Sequence, residues 1–135
     1  MSTATAHYAG HLRTEATHVA SGNTILTDAP VDNHGRGEAF SPTDLVSTAL
    51  GSCMMTIMGI VANRHEVDLA GTTFQVTKHM TGEPRRIAQI DVHFHLPATL
   101  PAKERAILEN AARTCPVALS LNPEIQQQVQ FTYDL

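Results

Sequence analysis

The stretch SPTDLVSTALGSCMMTIMG, residues 41–59, begins with a helix start and runs on as an almost unbroken apolar segment. Ser41 offers an N-cap hydroxyl, and Asp44 stands three residues later to close a capping box. Pro42 suits the first helical position, where its missing N–H would have no partner. These signals predict a helix from about residue 41 to 64. Its Leu45, Val46, Leu50, Cys53, Met54, Ile57, Met58 and Val61 cover most of the circumference, the pattern of a central helix covered on several sides. Ser47, Gly51, Ser52 and Gly59 are small enough to let another backbone approach closely.

Cys53 sits near the middle of this helix, and two readings fit it. In mid-helix no free amide points at the thiol, so nothing local stabilises a thiolate, and buried cysteines commonly behave as small hydrophobes. As a nucleophile it would need a cation from elsewhere, and arginine suits that role because it never deprotonates and also donates hydrogen bonds.

Upstream, residues 7–28 read as two or three strands. HYAGHL and TEATHVA alternate in part, and SGNT supplies a turn before ILTD. Residues 29–40, APVDNHGRGEAF, read as the longest loop of the chain. Downstream, TTFQVTKHM and IAQIDVHFHL read as two antiparallel strands joined through TGEPRR. Pro101 opens a second helix, about 101–113, with Ala106, Ile107, Leu108 and Ala111 inward and Lys103, Glu104, Arg105 and Glu109 outward. A break at TCPVALSL precedes a last strand, QQVQFTYDL. Strands, helix, strands, helix, strand make an α+β domain with antiparallel sheet, one domain over residues 1–135.

Cys115 precedes Pro116. The residue before proline is pushed out of the α region, and proline suits a first helical turn. Cys115 is therefore expected at the N-cap of a short helix over Val117–Leu121, where amide donors would lower a thiol pKa. A cysteine that merely ends the preceding helix is the other reading.

With 42% apolar residues and 16% charged ones, the composition is that of a globular chain. A net charge of −4 carries no basic footprint, so neither nucleic acid nor an anionic membrane surface is an expected partner. The first 18 residues hold no apolar core of a signal peptide. Ser47, Thr48, Gly51, Ser52, Thr56 and Gly59 interrupt the apolar helix, which argues against a membrane span. A cytoplasmic, reducing location is the expectation, and two cysteines there are more often catalytic, redox-active or buried than a permanent disulfide. Among eight histidines, His93 and His95 share a strand face, as His7 and His11 would. No carboxylate or cysteine stands beside either pair at ligand spacing, so surface histidines are expected rather than a metal site. Nothing resembles a phosphate loop, a nucleophile elbow or a dinucleotide fingerprint, and no cofactor is expected.

In this order SPTDLVSTALGSC, GEPRRIAQIDVHFHL and a Cys-Pro pair 62 residues after Cys53 resemble the OsmC/Ohr family of organic hydroperoxide reductases, closest to its less-characterised OsmC-like branch. The resemblance implies an intertwined homodimer with central helices flanked by sheets and active sites at the subunit interface. It implies a mechanism as well. Cys53 would attack an organic hydroperoxide and become a sulfenic acid, and Cys115 would condense with it to a disulfide. A lipoyl- or thioredoxin-like dithiol would reopen that bond. An arginine from the N-terminal strands or from the loop before the helix would hold the thiolate. Arg36, in the loop and nearer the helix, is preferred, with Arg13 and Arg85 as alternatives. Family members often carry Glu where this chain has Thr43, and here the acid is Asp44. Asp44 lies roughly 13 Å along the helix from Cys53, so it either caps alone or orients an arginine. Leu50, Met54 and Ile57 are candidates to line an apolar substrate pocket. A small-ligand-binding or redox-sensing protein without efficient peroxidase turnover is the alternative reading.

Overall fold

Ser41 and Asp44 close the expected box in both directions. The Ser41 amide donates to Asp44 Oδ2 at 2.9 Å, and the Asp44 amide donates to Ser41 Oγ at 3.1 Å. Such a cap is worth about 1 kcal/mol. From it α1 (Pro42–Arg64) runs 23 residues without interruption. The computed structural model describes residues 1–135, and these form two compact units, 1–46 and 47–135, with α1 passing from the first into the second.

The first unit is an antiparallel three-stranded sheet, in the order β1 (Ala4–Gly10), β2 (Arg13–His18) and β3 (Thr24–Asp28). HYAGHL was expected to be strand throughout, yet His11 and Leu12 form the turn, with φ of 54° and 62°. Two successive residues at positive φ match the right-handed twist of a two-residue hairpin. His11 therefore leaves the strand and does not share a face with His7. The loop after β3 is organised rather than open. A 3-10 turn, Val31–Asn33, leads to Gly35 and Gly37, whose amides donate to Pro30 O at 2.9 Å and Ala29 O at 3.2 Å. A Cβ on Gly35 would fall 1.7 Å from Ala29 O, so only glycine fits there. No apolar side chain of this unit is buried. Tyr8, Ile25, Leu26, Val31 and Phe40 are all exposed.

The second unit carries the core. β4 (Thr73–Thr81) pairs antiparallel with β5 (Arg86–His95), as expected. β6 (Gln126–Thr132) corrects the expectation of purely antiparallel sheets, for it lies parallel to β5, with Gln89 opposite Gln126 and His95 opposite Thr132. Parallel neighbours need a long crossover. Residues 96–125 supply it through α2 (Ala102–Arg113) and α3 (Pro116–Ser120). Val92 and Phe94 of β5 alternate inward, and Phe94 meets Phe74 and Phe131 with ring centroids 5.7 and 5.4 Å apart. Leu50, Met54, Met58 and Ala62 bring one face of α1 into the same cluster, with Leu108 and Ala112 of α2. Gly51 lies on that face because a Cβ there would stand 2.6 Å from the Phe74 ring. α2 departs from its expected faces at several residues, with Glu104 and Glu109 half-buried and Glu109 accepting the Tyr133 hydroxyl at 2.6 Å. Ala106 is exposed, and Arg105 folds back to donate to Leu100 O at 2.7 Å and Ala98 O at 2.8 Å, stacking 4.1 Å over the Tyr133 ring.

Candidate active site

Cys53 and Cys115, far apart in sequence, meet in the second unit. Both are free, and they lie near enough for Cys53 to bear on the ionisation of Cys115. The elements that place them differ. Cys53 rides on α1 one residue before the buried Met54, so its side chain lies at the margin of the core face and is half-buried. Cys115 follows the end of α2 and is extended, φ −67° and ψ 154°, as its proline neighbour requires. It is the N-cap of α3, and the Ala118 amide donates to its Sγ at 3.4 Å.

The expected consequence of that cap is reversed. Cys115 is completely buried, and loss of solvent raises its pKa more than the amide donors lower it. The neighbouring Cys53 sulfur raises it further. Cys115 therefore keeps its proton and can donate it toward Cys53. A cap position read from the sequence says nothing about how much water the fold removes, and here burial is the larger effect.

The first unit holds a cluster that the sequence reading passed over. Arg13 donates to Asp28 Oδ2 at 3.2 Å and to Glu38 Oε2 at 2.7 Å. Asp28 is fully enclosed and also accepts the Glu38 amide at 3.0 Å. That amide, then Arg13, holds the Asp28 carboxyl below the usual range against the opposing effect of burial. The signal was available: a turn at SGNT sets a hairpin register in which Arg13 faces Asp28 directly. A carboxyl with a depressed folded pKa contributes stability that is present above its unfolded pKa, about 4, and disappears as pH falls through the lower folded value. The urea midpoint of Asp28→Asn is expected below that of the wild type at pH 6, with the gap closing below about pH 4. A gap unchanged into acid would show that Asp28 is not ionised in the fold.

The other expected site residues are distributed as follows. Arg36 is exposed in the loop between β3 and α1, and Arg85 is exposed in the turn between β4 and β5. Asp44 caps α1, as described. Leu50 and Met54 are completely buried in the core, and of the three expected pocket residues only Ile57 keeps an exposed surface. His93 and His95 lie on one face of β5 with ring centroids 4.3 Å apart. His93 Nε2 pairs with Thr132 Oγ1 at 2.7 Å, and His95 Nδ1 with Asp134 at 3.1 Å. No group of three or more His, Cys, Asp or Glu gathers at metal-binding distance.

Comparison with known proteins agrees with this arrangement of elements. A solved structure from Psychrobacter arcticus, of a protein proposed to be an osmotic stress induced and detoxification response protein, is 51% identical. The match covers 97% of this chain and 96% of that one, with a TM-score of 0.94. An organic hydroperoxide resistance protein OsmC from Legionella pneumophila superposes with a TM-score of 0.76 at 17% identity over 98% of both chains. One from Elizabethkingia anophelis, solved with thiocyanate bound, gives 0.76 at 14% identity over 99% of this chain and 98% of that one. No functionally curated protein is significantly similar to the sequence. The family model for OsmC-like proteins matches residues 35–130, which take in α1, both cysteines and all but the last two residues of the β4–β5–β6 sheet, and the chain belongs to the OsmC-like family.

Proposed function

We propose that this protein is a thiol-dependent peroxidase that reduces organic hydroperoxides. Membership of the OsmC-like family supports a redox-stress role, and the observation that carries the finer reading is the thiol pair itself. One cysteine is half-buried, and its neighbour is buried and held protonated. Cys53 as thiolate attacks the outer peroxide oxygen, the O–O bond breaks, and the leaving alkoxide takes a proton from solvent and departs as the alcohol. Its sulfenic acid then meets Cys115, which forms the disulfide and expels water. A dithiol reductant of the lipoyl or thioredoxin type returns the pair to two thiols. Ile57, partly open on the same helix, offers apolar surface to an alkyl group. The sulfenic chemistry suits a reducing compartment such as the cytoplasm.

The cation of this reading is Arg36, whose side chain is exposed. Arg13 already shares its charge with Asp28 and Glu38. That commitment of Arg13 favours the second reading, a redox-sensing or small-ligand-binding protein that oxidises without efficient turnover. Cumene hydroperoxide consumption with dihydrolipoamide separates the two. Wild type is expected to sustain turnover, and Cys53→Ser to fall to the uncatalysed background. Turnover untouched by Cys53→Ser would remove the peroxidase mechanism.

A homodimer is part of the same proposal. A three-stranded sheet needs an apolar face covered to be stable, and the first unit buries none of its apolar side chains within one chain. A second copy is the simplest cover. Sedimentation equilibrium at micromolar concentration is expected to give twice the chain mass, and a monomer there would overturn it.

A further inference from the structure

The two cysteines of the pair are unequally buried. Cys115 is completely buried, in the core cluster with Leu108, Ala112 and Ala118, while Cys53 keeps an open surface. Thiol–disulfide exchange is an in-line displacement, in which the incoming sulfur approaches along the S–S axis from the side opposite the leaving sulfur. For attack at Cys115 Sγ, that approach would have to come through the buried side of the pair, where α2 and α3 meet the core. For attack at Cys53 Sγ it comes from the exposed margin of α1.

We propose that thiol reductants enter the oxidised pair at Cys53 Sγ alone, so that the mixed disulfide is always carried by Cys53 and Cys115 is always the leaving sulfur. This rests on the reading that the pair cycles through a disulfide. A reductant thiolate forms a bond to Cys53 Sγ, the Cys53–Cys115 bond breaks, and its electron pair leaves on Cys115 Sγ. The Ala118 amide, 3.4 Å from that sulfur, supports the departing charge until the proton given up by the reductant's attacking thiol restores the Cys115 thiol. The second thiolate of the reductant then attacks its own sulfur in the mixed disulfide and releases Cys53 as thiolate. The reductant ends as an intramolecular disulfide, and the protein has gained two electrons. Selectivity among reductants therefore belongs to the surface around Cys53. The surroundings of Cys115 set only how readily it leaves.

The test forms the disulfide with diamide rather than with a hydroperoxide, so that it is independent of peroxidase turnover. The oxidised protein is exposed briefly to glutathione, quenched in acid, unfolded, alkylated with N-ethylmaleimide and mapped by peptide mass spectrometry. Glutathione is expected on the Cys53 peptide and maleimide on the Cys115 peptide, by about 10-fold or more over the reverse. Equal labelling, or glutathione mainly on Cys115, would overturn the proposal. Failure of diamide to join the two cysteines would overturn it together with the disulfide step. Absence of cumene hydroperoxide turnover in a protein that does form the bond would count against the peroxidase reading alone. In parallel, folded Cys115→Ser and Cys53→Ser proteins are treated with an aromatic disulfide. Cys53 in the first is expected to react at least about 10-fold faster than Cys115 in the second. Equal rates would refute the difference in access on which the proposal stands.

Discussion

Without reductant, Cys115→Ser is expected to reduce about one organic hydroperoxide per subunit and then to hold the product as a sulfenic acid on Cys53. In the wild type that species is short-lived, because Cys115 is already the neighbour of the sulfur it must attack. One equivalent of hydroperoxide without reductant should therefore remove both thiols and leave nothing for dimedone to label. In the variant the same treatment should give a dimedone adduct on Cys53 with no disulfide. Under excess hydroperoxide with reductant present, the unresolved sulfenic acid passes to the irreversible sulfinic state, so activity should decay within a few turnovers while the wild type persists. Mass spectrometry of the adduct and a thiol count measure both outcomes. A Cys115→Ser protein that yields no adduct, and loses no thiol, would show that Cys53 is not the attacking group.

Gly51→Ala is the substitution expected to cost most stability for its size. The added methyl would stand 2.6 and 2.8 Å from ring carbons of Phe74 and 3.2 Å from Val76 Cγ2, all closer than van der Waals contact allows. Phe74 is held by Phe94, so the ring cannot simply withdraw. Overpacking of this kind costs about 1–3 kcal/mol. For a chain of this length that corresponds to a fall in Tm of about 3–12 °C, measurable by calorimetry. Phe74→Leu should recover part of the loss in the double variant, because it removes the atoms the methyl meets. A Gly51→Ala protein as stable as the wild type would mean that α1 can lift from β4 at little cost. Because Cys53 lies two residues on, any such movement also separates the two sulfurs, and disulfide formation should slow with it.

Much of this was written locally. The cap of α1, its length and the start of α3 depend on interactions within a few residues, and Ser41, Pro42, Asp44 and Pro116 carry them in plain view. The alternation of β4 and β5 is local in the same sense. The boundaries that moved did so for equally local reasons: His11 and Leu12 took a turn conformation that non-glycine residues seldom adopt, which no composition rule would select.

Other features depend on partners distant in the chain. β6 carries the same alternation whether it runs parallel or antiparallel to its neighbour, and only the crossover through α2 and α3 sets its direction. Arg105 has the side chain of a surface residue, but its position beside Tyr133 and two free carbonyls turned it inward. Arg13 read as a candidate cation because charge is visible in a sequence. Its commitment to Asp28 and Glu38 became visible only when β2, β3 and the following loop were in place.

The thiol pair shows where the division falls. The sequence by itself determined that the chain has a long apolar helix bearing one cysteine and a helix-capping second cysteine before a proline, because capping and proline geometry act over one or two residues. Tertiary structure alone decided that the two cysteines are neighbours, that Cys115 lies beyond the reach of solvent, and that burial outweighs the amides at its cap. Desolvation depends on every neighbour that excludes water, and those neighbours come from α1, α2 and the sheet together.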